Sequence, residues 1–212
     1  MVKRRPSSSR WLREHHADPY VLQARKERYR SRAVYKLLEI QERFSVIQQG
    51  HHVVDLGAAP GGWTQVALSL VGKSGRVVAI DLLPMKPMPP AYVITGDFLD
   101  NDVYDNLKSI LNSDGKDGSV DVILSDMAPN MSGFKAADQG RGELLAESAF
   151  EFVNTALVAG GSMVIKLFQG PGFHTLVREA RTLFDQVKVV KPKASRSRSP
   201  ENYLVGLDFR SK

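Results

Sequence analysis

From Val53 onward, short apolar runs alternate with amphipathic helical patterns, and this alternation restricts the possible folds more than any other feature of the sequence. Seven apolar runs have strand-like character: VVDL, RVVAIDLL, YVITGDF, VDVILSDM, SMVIKLF, QVKVV and YLVGLDF. Runs this apolar are typical of parallel strands that helices cover on both faces. The pattern predicts an α/β fold with a doubly wound, mostly parallel sheet.

Glycine clusters indicate where the intervening helices end. GKSG (72–75) and AGG (159–161) follow helical patterns, and SDGKDG (113–118) is typical of a surface loop. Before the first strand, residues 31–44 place apolar side chains at helical spacing. We expect this helix to dock on the sheet, so that residues 1–45 form a basic helical extension and residues 46–212 form the main domain.

The positive charge is concentrated at one end of the chain. The whole chain carries a net charge of +6, but residues 1–36 contain eleven Lys/Arg against three acidic residues. A second basic stretch, KVVKPKASRSRS, covers 188–199. Lys and Arg release counterions from a phosphate backbone, so these two segments favour a nucleic-acid partner over a merely solubilising role.

Composition excludes several classes of protein. The chain has no cysteine, which rules out disulfides and thiolate metal sites, and no apolar run approaches the roughly 20 residues that span a bilayer. We expect a cytoplasmic protein without a membrane anchor or metal centre, monomeric by default. The adjacent pairs His15–His16 and His51–His52 are poorly spaced for joint metal ligation.

The turn after the first predicted strand, DLGAAPGGWT (55–64), has glycines like those of a phosphate-binding loop but lacks its cation. Trp63 and Thr64 stand where a nucleotide triphosphatase has Lys and Ser/Thr, and Pro60 has no N–H to donate. The ligand is therefore not strongly anionic at this loop. In a doubly wound sheet the ligand lies at the carboxyl ends of the strands, and S-adenosylmethionine, with its carboxylate, ammonium and sulfonium, satisfies these conditions.

Two acidic residues follow the next strands and suit the same cofactor. Asp81 ends VVAID and could accept both ribose hydroxyls, while Asp97, in TGDF, could reach the adenine amino group. Each acid alone could be an ordinary turn residue. We assign Gly61 and Trp63 to the cofactor site as well, although Trp63 could instead pack the first helix on the sheet.

Charged residues at the fourth and fifth predicted strands are candidates for catalytic residues. Asp126 follows VILS, and Lys166 lies inside the apolar run MVIKLF. Lysine is rarely buried without a partner or a task. Lys166 could form a structural salt bridge, or it could be a desolvated amine that acts as a general base.

These motifs together resemble the FtsJ-type family of ribosomal RNA large subunit methyltransferase E. The resemblance rests on DLGAAPGGW, AIDLLPM, GDF, SDMAPNMSG, VIKLFQG and SRSRSPENYLV, and it extends to SSSRWLREHHADPYVLQARKERYRSRAVYKL at the basic end. It implies a Rossmann-like fold with a seven-stranded sheet, S-adenosylmethionine as cofactor, and methylation of a ribose 2′-hydroxyl on a uridine of large-subunit ribosomal RNA in the 50S particle.

The same resemblance implies a catalytic set of Lys36, Asp126, Lys166 and Glu201. Lys36 and Glu201 would not stand out by themselves, because they resemble residues of a helix surface and a loop. In this assignment Lys166 is the base and Asp126 orients it close to the cofactor. Lys36 holds the target hydroxyl or a flanking phosphate, and Glu201 orients a lysine. The segment 132–148, which we interpret as the substrate loop, begins as the family pattern expects but matches the family least.

Other functions remain open on sequence grounds. The same residues could methylate tRNA or an mRNA cap, and a non-catalytic RNA-binding assembly factor would share the basic segments. A small-molecule methyltransferase would not need the basic end.

Overall fold

The computed structural model describes residues 18–113, 118, 120–129 and 132–210. Residues 1–17 of the basic end and residues 114–117 of the predicted 113–118 loop lie outside the described residues. In chain order the elements are α1 (Pro19–Lys26), α2 (Val34–Phe44), β1 (His52–Leu56), α3 (Gly62–Val71), β2 (Arg76–Asp81), β3 (Tyr92–Thr95), α4 (Asn101–Asn112), β4 (Val120–Ser125), α5 (Lys135–Ala156), β5 (Leu157–Phe168), α6 (Phe173–Leu183), β6 (Phe184–Val190) and β7 (Glu201–Phe209).

The seven strands form one sheet in the order β3-β2-β1-β4-β5-β7-β6. Strands β1 to β5 pair in parallel, whereas β7 pairs antiparallel with both β5 and β6. The predicted α/β, mostly parallel sheet is confirmed. β1 lies between β2 and β4, and all three are parallel, so the turns after them meet at one edge of the sheet.

Helices cover both faces of the sheet, as continuous apolar strands require. One core layer contains residues of α2 and α3 with Val53, Val122 and Val164. The other contains residues of α4, α5 and α6 with their strand neighbours, including Ile123 and Ile165. Consecutive strand residues alternate between these layers, because side chains along a strand point to opposite faces.

Two helices precede the sheet. In α2, Val34, Leu37 and Ile40 are fully buried and pack in the same layer as α3. Apolar periodicity did not predict α1, although its beginning has a clear signal: Pro19 occupies the first turn and the Asp18 carboxylate accepts a hydrogen bond from the Tyr20 N–H.

Two expectations about α5 were wrong. The segment interpreted as a loop is helical from Lys135, so α5 begins before the helix predicted through ELLAESAFEFVNTALV, and AGG (159–161) lies inside β5 rather than at the helix end. Gly142 is tolerated in the helix because the Phe168 ring packs so close that a Cβ there would lie 2.9 Å from it. Gly160 has a φ of +78° in the irregular first part of β5. Among the described residues, no helix is long and apolar enough to cross a membrane.

Candidate active site

The strand register brings the predicted catalytic residues together. Lys166 on β5 lies directly opposite Tyr203 on β7, and Phe168 lies opposite Glu201. Opposed residues of antiparallel strands point to the same face, and this is the face that α2 covers with Lys36. Asp126 follows the last residue of β4, the neighbour of β5.

The four predicted charged residues form one cluster with alternating charge. Lys166 Nζ donates to Asp126 Oδ1 at 3.0 Å and to the Asp126 carbonyl at 2.5 Å. Lys36 Nζ lies 3.0 Å from Glu201 Oε1 and 3.9 Å from Asp126 Oδ1. Lys36 and Lys166 are only 9% and 8% exposed, so each ammonium depends on these partners for the interactions that water would otherwise supply.

Tyr203 links the two halves of this cluster. Its hydroxyl accepts a hydrogen bond from Lys36 Nζ at 2.8 Å and donates one to Asp126 Oδ1 at 2.6 Å. Sequence reasoning missed this residue because a tyrosine in YLVGL resembles any core residue of a strand. The available signal was its position two residues after Glu201, which places both side chains on one face of β7.

The charges of the cluster stabilise each other. Burial alone would raise the pKa of the Asp126 carboxyl, but the ammonium groups of Lys166 and Lys36 and the hydrogen bond from Tyr203 lower it by more. The pKa of Tyr203 lies well above its usual 10.0, first because the ring is buried and then because Asp126 and Glu201 are negative. Asp126 is therefore a carboxylate and Tyr203 a neutral donor near pH 7.

The carboxylates predicted to bind the cofactor lie in the turns beside this cluster. Asp81 accepts hydrogen bonds from the Ala59 and Leu83 N–H groups, both at 2.8 Å, and Asp97 accepts one from the Leu99 N–H at 3.1 Å. A carboxylate has about four acceptor positions, so these bonds orient Asp81 while leaving it able to receive two ribose hydroxyls. The donor set therefore fits an adenosine-containing cofactor.

The glycines of the predicted cofactor loop make room for protein atoms. Gly57 has a φ of +72°, and a Cβ there would lie 2.5 Å from the Met127 side chain. Gly61, the N-cap of α3, has a φ of +103°. Both conformations favour glycine. The first turn of α3 directs N–H groups toward the loop, where they suit a carboxylate.

Trp63 lies in the core. Its side chain is 2% exposed, its indole N–H donates to the Ala33 carbonyl at 2.8 Å, and its ring lies 5.6 Å from that of Tyr203. These contacts join α3 to α2 and β7, which favours the packing role. Its contact with cofactor stays a prediction, as does that of Gly61.

A second buried acid that the sequence analysis did not select lies under this edge of the sheet. Asp55 precedes Leu56, the last residue of β1; it is fully buried and accepts a hydrogen bond from the Thr64 hydroxyl at 2.7 Å. Burial, with the charges of Asp126 and Asp81, raises its pKa to about 7 despite the Thr64 hydrogen bond. In the described part of the chain, no group of three or more His, Asp or Glu side chains could hold a metal ion.

The sheet order, the antiparallel β7 and a polar site at the carboxyl ends of β1, β2 and β4 define a Rossmann-like methyltransferase fold. A family model described as FtsJ-like methyltransferase matches residues 29–209. The chain therefore belongs to the FtsJ-like methyltransferase family.

Individual relatives agree with this assignment. The chain is 59% identical over 217 residues to ribosomal RNA large subunit methyltransferase E of Magnetococcus marinus, covering 99% of this chain and 100% of that protein. It is 48% identical over 202 residues to the protein of the same name in Coxiella burnetii, covering 95% of each.

Solved structures share the fold. A Plasmodium falciparum protein described as a ribosomal RNA methyltransferase superimposes with a TM-score of 0.76 at 31% identity, over 87% of this chain and 100% of that one. Aeropyrum pernix fibrillarin, solved with natively bound S-adenosylmethionine, has a TM-score of 0.54 at 14% identity, over 82% of this chain and 76% of that one. The second likeness concerns the fold alone.

Proposed function

We propose that this protein transfers a methyl group from S-adenosylmethionine to the 2′-hydroxyl of a uridine ribose in large-subunit ribosomal RNA, with the assembled 50S particle as substrate. The observation that carries the proposal is the contact of buried Lys166 with Asp126 inside a cluster completed by Lys36 and Glu201. The named relatives are large-subunit ribosomal RNA methyltransferases, which supports this class of substrate.

When bound, S-adenosylmethionine supplies an electrophilic methyl group on its sulfonium. A ribose hydroxyl becomes a good nucleophile only when a base removes its proton, and Lys166 Nζ is the group that accepts it. Lys166 must lose a proton before it can do so. Such a base contributes about 10²- to 10⁴-fold to the rate, and positioning of the hydroxyl contributes most of the remainder.

The other members of the cluster hold Lys166 and the substrate in place. Asp126 fixes Lys166 Nζ through two hydrogen bonds. Lys36, held by Glu201 and Tyr203, provides a positive charge for the target oxygen or a flanking phosphate.

The described part of the basic end lies next to the 188–199 stretch, which supports a continuous surface for RNA phosphates. Arg32 donates to the Asp18 carboxylate and to the Ala194 carbonyl, and Arg196 Nε lies 3.8 Å from the same Asp18 carboxylate. Asp18 precedes α1, and Ala194 and Arg196 belong to the 188–199 stretch. The cytoplasmic location, the monomeric state and the division into residues 1–45 and 46–212 stay predictions.

The first experiment incubates the purified protein with radiolabelled S-adenosylmethionine and 50S subunits that lack the modification. We expect label on a ribose 2′-oxygen, at least about 10²-fold less with Lys166→Ala, and normal transfer with Lys108→Ala. Lys108 is a matched control because it lies on α4 beside Tyr104, at 4.6 Å from the ring centroid, outside the cluster and the basic segments.

The substrate is identified by parallel reactions with naked ribosomal RNA, tRNA and capped mRNA. Transfer to tRNA or capped mRNA without transfer to 50S subunits would contradict the proposed substrate but keep the chemistry. Binding of cofactor and subunits without transfer to any of these RNAs would instead identify an assembly factor.

A further inference from the structure

Arg30 lies between α1 and α2, and its guanidinium holds three backbone carbonyls from two separate loops. Nη1 donates to the Pro60 carbonyl at 3.2 Å and to the Lys86 carbonyl at 2.8 Å, and Nη2 donates to the Pro87 carbonyl at 3.0 Å. Pro60 belongs to the glycine loop after β1. Lys86 and Pro87 belong to the loop that follows Asp81 at the end of β2.

The glycine loop is shaped to receive this segment. A Cβ on Gly61 would lie 3.1 Å from Arg30 Nη1 and 2.7 Å from Met88 Cε, and one on Gly62 would lie 2.3 Å from the Ser31 hydroxyl. Contacts under 3.0 Å would force atoms to move. The glycine pair that resembles a phosphate cradle is therefore the place where residues 30 and 31 pack against the start of α3.

The backbone of the same segment is fixed from α3. Gln65 accepts a hydrogen bond from the Arg30 N–H at 2.7 Å and donates one to the Arg28 carbonyl at 3.2 Å. The Arg30 side chain thus starts from an anchored backbone. A guanidinium with its planar set of five donors can join several carbonyls at fixed angles, which an ammonium on a flexible chain cannot do equally well.

We propose that Arg30 is a positioning residue for S-adenosylmethionine: it fixes the spacing of the two loops between which the cofactor binds, and it acts through their backbone. This inference rests on the proposed function only in placing the cofactor beside Asp81 and the glycine loop. Preorganised loops do not have to be ordered when the ligand arrives, so their affinity for it is higher.

The neighbouring Arg32 provides a contrast on the same short segment. Its guanidinium contacts Asp18 and the Ala194 carbonyl, which belong to the two basic segments and not to the cofactor loops. Arg30 therefore serves the cofactor, whereas Arg32 serves the surface proposed to bind RNA.

The test measures binding of S-adenosylmethionine and S-adenosylhomocysteine by titration calorimetry, and separately the KM for cofactor, the KM for 50S subunits and kcat. With Arg30→Ala we expect the cofactor Kd and KM to rise by roughly tenfold, as loss of hydrogen bonds that order the loops implies. The kcat at saturating cofactor should change little, and the KM for subunits should rise by less than with Arg32→Ala. Arg30→Lys should be intermediate, and Gln65→Ala should shift cofactor affinity in the same direction by less.

Arg32→Ala is the matched control, since it removes the same charge two residues away. It should weaken subunit binding and leave the cofactor Kd unchanged. The inference would be overturned if Arg30→Ala and the wild type had the same cofactor affinity. It would also be overturned if Arg30→Ala and Arg32→Ala lost cofactor affinity to the same extent. If Arg30→Ala does not fold, Arg30→Lys and Gln65→Ala decide by the same criteria. A wild-type protein that binds neither S-adenosylmethionine nor S-adenosylhomocysteine would overturn the proposed function and this inference with it.

Discussion

At the scale of single residues, the Tyr203 hydroxyl joins the two halves of the charged cluster. It is fully buried and contacts Lys36 on one side and Asp126 on the other. Without it, Lys36 keeps its ion pair with Glu201 and Asp126 keeps the one with Lys166, while Lys36 and Asp126 keep only a longer contact of 3.9 Å with each other. The hydroxyl therefore matters more for the geometry of the cluster than for its total charge.

Replacing Tyr203 with Phe tests this role. The ring and its packing on Trp63 are kept, so we expect a modest loss of stability, about 1 kcal/mol for one buried hydrogen-bonding group. We expect kcat to fall by roughly tenfold, since Asp126 would hold Lys166 less firmly. Methyl-transfer kinetics and urea denaturation measure the two effects. Tyr104→Phe, on α4, is the control, and an unchanged kcat would show that the hydroxyl is not needed for positioning.

At the scale of elements, the beginning of α5 depends on one carboxylate. Asp138 accepts hydrogen bonds from the Ser132 N–H at 2.8 Å, the Ser132 hydroxyl at 2.7 Å and the Gly133 N–H at 3.0 Å. The Ser132 N–H is the largest cause of its lowered pKa. This clamp fixes residues 132 and 133, which come shortly after the loop that contains Asp126.

We expect Asp138→Asn to loosen this turn, because an amide has one acceptor oxygen where the carboxylate has two. Since the pKa of Asp138 is lowered on folding, its contribution is present above the ordinary pKa near 3.8 and is lost as pH falls through the lowered value. Hydrogen exchange followed by mass spectrometry near pH 7 should show faster exchange at residues 132–134 in Asp138→Asn. Asp105 is exposed on α4, so Asp105→Asn should leave that exchange unchanged. Equal protection of residues 132–134 in the wild type and both variants would show that Asp138 does not hold this turn.

The elements also show what the sequence can predict. Strands β1, β2, β4 and β5 were predicted because a covered parallel sheet requires uninterrupted apolar runs. The first part of α5 was not predicted, because Gly140 and Gly142 weaken the helical signal. Gly142 is explained only by its contact with Phe168, which the sequence does not reveal. Among site residues, a charge inside an apolar strand identified Lys166.

Lys36 and Glu201 were identified by family resemblance alone. Their sequence context is that of surface residues, and the burial that makes Lys36 unusual depends on how α2 packs across β7. Arg30 had no local signal, and the local signal for Tyr203 was its position two residues after Glu201. Their importance comes from partners at least thirty residues away in the chain, which sequence periodicity does not reveal.

At the scale of the whole molecule, buried Asp55 makes stability depend on pH. Burial, with the charges of Asp126 and Asp81, raises its pKa from 3.8 to about 7. Below 3.8 the carboxyl is protonated in both the folded and the unfolded chain. As pH rises, the unfolded chain releases this proton first, so the contribution of Asp55 to folding is progressively lost up to about pH 7.

Asp55→Asn should remove this dependence. We expect the free energy of unfolding of the wild type, relative to that of the variant, to decrease between pH 4 and pH 7 and to level off above. The decrease is about 1.4 kcal/mol for each unit by which the pKa is raised. Urea denaturation at several pH values without cofactor measures it, and parallel pH profiles for the two proteins would contradict a raised pKa.

The distribution of charge over the whole chain predicts how RNA affinity responds to salt. Residues 1–17 contain Lys3, Arg4, Arg5, Arg10 and Arg13 against the single acid Glu14. If they bind phosphates, deleting them should make the plot of log affinity for 50S subunits against log salt shallower, by about 0.7 to 0.9 for each phosphate that the protein no longer neutralises. Cofactor affinity should not change, because the deletion keeps Asp81, Asp97 and the hydrogen bonds of Arg30 to the cofactor loops. The double variant Lys73→Ala/Lys108→Ala removes positive charge outside both basic segments and should leave the slope unchanged. A truncated protein with the wild-type slope would assign phosphate binding to 188–199 and the neighbourhood of Arg32 instead.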